Sequence, residues 1–133
     1  MKKTLPLLMI VPVLVLLLQV VSFAESEVFE QYLLDVDCAN KAITDDGTIL
    51  SINPENHTVA CLKKPSCMLS GYGVILRNPK TGYYTFYKFD DKGDEIAKKL
   101  LEVTKKTDNM LIKVKGTMDK ESGIIKVKSI VEK

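Results

Sequence analysis

Histidine and cysteine are scarce in this chain of 133 residues, which has one histidine, three cysteines and no tryptophan. The absence of a Cys-x-x-Cys-His motif argues against covalent attachment of c-type haem. The acidic pairs Asp45-Asp46 and Asp90-Asp91 lack the spacing of a calcium-binding loop, so solvated turns are the better interpretation. No internal repeat or low-complexity segment follows residue 24. What chemistry the sequence offers is therefore concentrated in the histidine and the cysteines.

The first 24 residues have the pattern of a secretory signal peptide. Two lysines follow Met1, an apolar run broken by two prolines covers residues 5–21, and small residues flank Phe23. We expect cleavage after Ala24 and export of residues 25–133, to the periplasm or the exterior of a bacterium. No cysteine follows the cleavage point, which excludes a lipoprotein. An uncleaved membrane anchor is the alternative, because the apolar run is nearly long enough to span a bilayer.

Without residues 1–24 the net charge disappears, since 17 Lys and Arg then balance 17 Asp and Glu. A neutral domain has no general electrostatic attraction for nucleic acid or anionic lipid. Residues 25–133 are enough for one domain, but its core would be modest. A disulfide or a bound metal ion would therefore help to stabilise it.

Hydrophobic periodicity predicts a small, mainly β domain with one main helix. Alternating apolar residues indicate strands, and an apolar stripe at helical spacing between acidic and basic ends indicates the main helix. Asn53 followed by Pro54 predicts the start of a shorter helix. The predicted strands are 28–36, 71–77, 83–89, 111–118 and 124–131, and the predicted helices are 54–63 and 94–106.

Five strands with a helix between the third and the fourth are typical of a small OB-like Greek-key barrel. The fallback is an α+β sheet with one packed helix. OB barrels bind oligonucleotides on aromatic strands, and residues 83–89 are aromatic. Core packing is the stronger interpretation, since zero net charge and export both argue against nucleic acid.

All four scarce side chains can meet near the segment 57–67. A helix over 54–63 places His57 and Cys61 one turn apart on one face. Pro65 ends that helix and leaves Cys67 in the following turn. Cys38 comes from the end of the first strand. A Cys₃His set of this kind suits tetrahedral Zn²⁺ or Cu(I).

Two other interpretations use the same residues. A disulfide, Cys61–Cys67 or Cys38–Cys67, would stabilise a small exported domain by roughly 2–3 kcal/mol. The domain would then be a disulfide-stabilised module for an unidentified protein partner. A Cys61–His57 nucleophile would instead indicate thiol redox or hydrolytic chemistry. Cysteine spacing cannot decide which cysteines pair, and the sequence shows no motif that would form an oxyanion hole.

Several short motifs are spread over most of residues 25–133. They comprise Asp35 and Cys38; His57, Cys61 and Cys67; Ser70 to Gly73; Tyr87, Phe89 and Asp90; and Val114, Gly116 and Thr117. In these motifs the chain resembles a largely uncharacterised group of small exported bacterial proteins. The resemblance implies an OB-like fold and makes the Cys/His set the hallmark of the group, but it implies no activity. From the residues and the resemblance together we expect an exported binding protein for zinc or copper.

Overall fold

The computed structural model describes residues 25–133. The predicted signal peptide, residues 1–24, lies outside the described residues. Within them a single 3₁₀ turn covers Pro54–Asn56. The strands are β1 (Glu27–Tyr32), β2 (Leu34–Asp35), β3 (Tyr72–Arg77), β4 (Tyr84–Phe89), β5 (Leu111–Asp119) and β6 (Ile124–Glu132), and the helices are α1 (Val36–Ala39), α2 (Val59–Leu62), α3 (Pro65–Ser70) and α4 (Asp91–Val103).

The strands of the described residues form one mixed sheet in the order β1-β5-β6-β4-β3-β2. Neighbours run antiparallel except β4 and β6, which are parallel. Both predicted hairpins, β3–β4 and β5–β6, are confirmed. A mainly β fold with one long helix, α4, is also confirmed. The sheet has six strands where the sequence predicted five.

The extra strand arises because the predicted strand over 28–36 is divided at Leu33. β1 pairs with β5, whereas β2, one residue further along, pairs with β3. Leu33 itself donates its N–H to the carbonyl of Met110, at 2.8 Å. Val36 already belongs to α1, so the predicted strand was one residue too long. The two ends of the sheet order are thus consecutive in the chain.

The main helix α4 begins earlier than predicted because of Asp90. Its side chain accepts the N–H of Gly93 at 3.0 Å and also the N–H of Val127 on β6 at 3.2 Å. An aspartate that caps the first turn favours a helix start immediately after it. The helix runs from Asp91 to Val103 rather than over 94–106. The same carboxylate ties the helix to the sheet.

The short helix predicted over 54–63 is wrong in its extent. The chain is extended at His57 and Thr58, between the 3₁₀ turn and α2. Thr58 caps α2 by accepting the N–H of Cys61 at 3.1 Å. Pro65 does not merely end a helix but occupies the first turn of α3, where its missing N–H is no loss. Cys67 therefore lies in a helix and not in a turn.

Buried side chains form two clusters, and consecutive residues of one strand contribute to different ones. Leu33 belongs to the larger cluster and Leu34 to the smaller; Val74 belongs to the larger and Ile75 packs on the smaller. The opposite orientation of successive strand residues explains this separation. The larger cluster, the sheet core, includes Leu62, Tyr72, Phe89, Leu101, Ile112, Val114 and Ile125. The smaller, the cysteine cluster, consists of Leu34, Cys38, Leu50, Cys61 and Cys67.

Candidate metal centre

Each cysteine is held by a short helix of its own. Cys38 lies in α1, whose cap Asp35 accepts the Cys38 N–H at 2.9 Å. Cys61 lies in α2 and Cys67 in α3. The Ser70 hydroxyl donates to the carbonyl of Cys67 at 2.8 Å and accepts the N–H of Asp37 at 3.1 Å, which connects α3 to α1. Local hydrogen bonds therefore position the sulfur-bearing backbone of all three helices.

The three sulfur atoms meet at one point in the interior. Cys38 Sγ is 3.7 Å from Cys61 Sγ and 3.9 Å from Cys67 Sγ, and all three lie within 4.8 Å of one another. None of the cysteines is more than 2% exposed. A disulfide bond would need about 2.05 Å between sulfurs, so none of the predicted pairings is formed. The three cysteines are free thiols at van der Waals contact.

The setting keeps these thiols protonated at neutral pH. Burial raises the pKa of all three, and the charge of Asp35 raises the pKa of Cys38 further. The pKa of Cys67 is raised to about 11 by burial and by its contact with Asp35. A nucleophilic cysteine needs a lowered pKa and access to solvent. These thiols have neither, which does not suit the predicted Cys–His nucleophile.

Asp35 is a fully buried carboxylate beside the sulfurs. Burial alone raises the pKa of Asp35, but hydrogen bonds from His57 and from the Cys38 N–H outweigh it and hold the pKa below its usual value. His57 Nε2 lies 3.4 Å from Asp35 Oδ2. Because an ionised carboxylate can only accept, this contact places a proton on Nε2. Asp35 is therefore the carboxylate partner of His57 Nε2.

The other ring nitrogen of His57 faces a second carboxylate. Nδ1 lies 2.8 Å from Asp46 Oδ2, yet Nδ1 makes no hydrogen bond to any of the described residues. The His57 side chain is only 1% exposed. A buried ring nitrogen without a hydrogen bond is uncommon and calls for a physical explanation.

Asp46 was missed as a site residue, because the sequence analysis placed it in a solvated turn. Its backbone is in a turn, but its side chain is only 12% exposed. The carboxylate accepts the N–H of Thr58 at 2.8 Å and the N–H of Thr48 at 3.1 Å, and the Thr44 hydroxyl also donates to it. It thereby fastens the turn at 44–48 to the start of α2. An aspartate flanked by threonines was the only sequence signal of this role.

The predicted four-residue set is not one group of mutually close ligands. Three overlapping groups occur within the described residues, each with all ligand atoms within 4.8 Å of one another. Cys61 belongs to two of them, once with the other cysteines and once with His57. The groups are Cys38, Cys61 and Cys67; Asp35, Asp37, Cys38 and Cys67; and Asp46, His57 and Cys61.

No protein-family model, curated protein or solved structure matches the chain. Among residues 25–133, none of the helices has the length and apolar character needed to cross a membrane. The cysteine cluster with its neighbouring Asp and His side chains could bind a metal ion. That chemistry is the firmest functional property of the described part of the chain.

Proposed function

We propose that this protein is a small exported binding protein whose three cysteines bind a soft metal ion, zinc or copper. The observation that carries the proposal is the convergence of three buried sulfurs from three separate helices. Cysteine sulfur is the ligand type that Zn²⁺ and Cu(I) prefer. The role is binding rather than turnover, because the buried thiols have raised pKa values.

The spacing of the sulfurs supports metal coordination. With Zn–S bonds of about 2.3 Å, tetrahedral angles place two sulfurs about 3.8 Å apart, and a planar three-coordinate site places them about 4.0 Å apart. The two distances from Cys38 Sγ, 3.7 and 3.9 Å, fall within about 0.1 Å of this range. The third distance, from Cys61 Sγ to Cys67 Sγ, is within 4.8 Å, so an ion could bind after a shift of that pair of at most about an ångström.

Oxygen and nitrogen donors stand next to the sulfurs for a fourth position. Asp35 lies beside Cys38 and Cys67, and His57 lies beside Cys61. Because the pKa values of the thiols are raised, the ion must displace their protons, about three in total for three thiolates. Binding therefore strengthens as the pH rises.

The strand order supports an OB-like barrel. If β1 and β2 are the two halves of one bent strand, the sheet order closes into a ring of five strands, with α4 between the third and the fourth. The likeness to small exported bacterial proteins remains part of the proposal, as does export with cleavage after Ala24. An experimental structure with β1 and β2 in separate sheets would contradict the barrel. Export would be contradicted by a cytoplasmic protein that retains residues 1–24.

The metal content of the purified, reduced protein tests the function. We expect wild-type protein to retain zinc or copper through a non-chelating purification, and Cys38→Ser and Cys67→Ser to lose the ion bound by the three sulfurs. Leu69→Ala, on the same helix as Cys67 but exposed to solvent, is the matched control and should retain the metal.

Alkylation followed by intact mass measurement detects the contrary result, because it counts the thiols that are free to react. Metal-free wild-type protein with one disulfide and one reactive thiol would overturn the proposal. It would then favour the disulfide-stabilised interaction module.

A further inference from the structure

His57 Nδ1 and Asp46 Oδ2 face each other across 2.8 Å inside the protein. Asp35 holds the proton of His57 on Nε2, so Nδ1 presents a lone pair to a carboxylate oxygen. Two acceptors at this distance repel each other unless a positive charge lies between them. A metal ion between Nδ1 and Oδ2 would satisfy both atoms, which make no hydrogen bond to each other in the structure.

Cys61 completes a ligand set at this place. Its sulfur lies within 4.8 Å of both atoms, while it also belongs to the three-sulfur group. We propose that the site holds two zinc ions, one at the three sulfurs and one between Cys61, His57 and Asp46, with the Cys61 thiolate as the bridge. This inference rests on the proposed function and specifies the stoichiometry and the metal.

The surroundings of the second position have the supports that metal ligands normally have. A ligating histidine usually donates its other N–H to a carboxylate, and Asp35 receives that of His57. Ligating carboxylates are usually hydrogen-bonded themselves, and Thr58 and Thr48 donate to Asp46. In a tetrahedral zinc site the nitrogen and oxygen would stand about 3.4 Å apart, so the side chains must separate by roughly half an ångström. The exposed turn of Asp46 offers an entry path.

Charge balance favours two divalent ions over one. Three thiolates together with the Asp35 and Asp46 carboxylates bring five negative charges into the interior. One Zn²⁺ would leave three of them uncompensated, whereas two would leave one. Uncompensated buried charge is strongly unfavourable. The same count argues against Cu(I), because two monovalent ions would leave three negative charges.

Native mass spectrometry of the reduced protein titrated with Zn²⁺ counts the ions directly. We expect two for wild type and one for His57→Ala, for Asp46→Asn and for Cys67→Ser. Cys61→Ser should bind neither ion tightly, because it removes the bridge. Asp45→Asn is the matched control: Asp45 adjoins Asp46 but pairs with Lys41 and Lys64 at the surface, so this variant should keep two ions.

Three results separate this inference from the proposed function. A wild type that binds one ion, unchanged in Asp46→Asn and in His57→Ala, would overturn the second position and leave the three-sulfur site intact. A wild type that binds none would overturn both. Titration with Co²⁺ gives a check that does not depend on fold stability. Thiolate-to-cobalt absorption should grow over two equivalents in wild type and over one in Asp46→Asn, and growth over one equivalent in both would contradict the inference.

Discussion

The sheet core and the cysteine cluster differ in what fills them. The sheet core consists of aliphatic and aromatic side chains from strands, from α2 and from α4. In the cysteine cluster three of the five buried members are cysteines, and the buried polar residues Asp35 and His57 stand beside them. The first stabilises by removing apolar surface from water. The cysteine cluster buries side chains that can bind a metal ion, and a domain of this size would hardly bury them unless they had a function beyond packing.

The comparison shows how one segment can serve both regions. Helix α2 directs Val59 and Leu62 to the sheet core and Cys61 to the cysteine cluster. The Tyr72 hydroxyl, in the sheet core, donates to the carbonyl of Leu62 at 2.7 Å. A helix of only four residues has little stability of its own, so its position depends on these contacts. The sheet core thus sets the place where the cysteine ligands meet.

The largest effect on stability is expected from Phe89→Ala, which removes a side chain of the sheet core and none of the cysteine cluster. Phe89 is 1% exposed, and truncation of a buried phenylalanine typically lowers the free energy of unfolding by about 3–5 kcal/mol. Urea denaturation measures the loss. If the two regions act independently, the loss is the same with and without zinc. A loss that differs by more than about 0.5 kcal/mol between the two would show that the regions are coupled.

Metal removal is the reciprocal change, confined to the cysteine cluster. A ligand at 100 times its dissociation constant stabilises the folded state by about 2.7 kcal/mol. We expect chelation under reducing conditions to lower the melting temperature accordingly. The Cys61→Ser variant, which lacks the ligand common to both groups, should melt at the same temperature with and without chelator. If chelation shifts wild type and Cys61→Ser equally, the chelator is not acting through the sulfurs.

The smallest effect on stability is expected at Asp46, and it should depend on pH. Burial raises the pKa of Asp46, but hydrogen bonds from the Thr44 hydroxyl and the Thr58 N–H outweigh burial and leave the pKa well below its usual value. A lowered folded-state pKa contributes stability above the unfolded pKa of about 3.9, and that stability is lost as the pH falls through the folded-state value.

Asp46→Asn should therefore destabilise the metal-free protein at pH 7, and the difference from wild type should shrink below about pH 4. Chemical denaturation at several pH values measures this. Asp45→Asn, whose carboxylate is exposed and screened, should show a weaker dependence. A difference between Asp46→Asn and wild type that stays constant down to low pH would contradict the role of the carboxylate.

Much of the sheet was predictable from local pattern. Strands β3 to β6 were found because their side chains alternate or are rich in aromatic and β-branched residues. The limits of α4 were missed because Asp90 was interpreted as a turn residue. The break at Leu33 was missed because a strand with one buried face buries only one of two consecutive residues, whereas Leu33 and Leu34 are both buried. Both are buried because Leu33 packs in the sheet core and Leu34 packs in the cysteine cluster.

The site was predictable in its residue types and not in its grouping. Cys38, Cys61 and Cys67 were expected to meet, and they do. His57 was placed on a helix with Cys61, yet it reaches Cys61 from an extended segment before α2. Asp46 is a ligand candidate only because the turn at 44–48 folds back onto Thr58. Contacts between residues 12 positions apart leave no periodic trace in a sequence.

Composition and periodicity alone determined that this chain forms β-hairpins around one long helix and that its thiol and imidazole ligands are limited to four residues. They could do so because burial of apolar surface imposes a regular spacing on each strand and helix. Tertiary structure alone decided that three sulfurs share one dry point and that His57 lies between Asp35 and Asp46. Those distances follow from how short helices pack across a sheet, and packing between distant segments is decided only when the whole domain has folded.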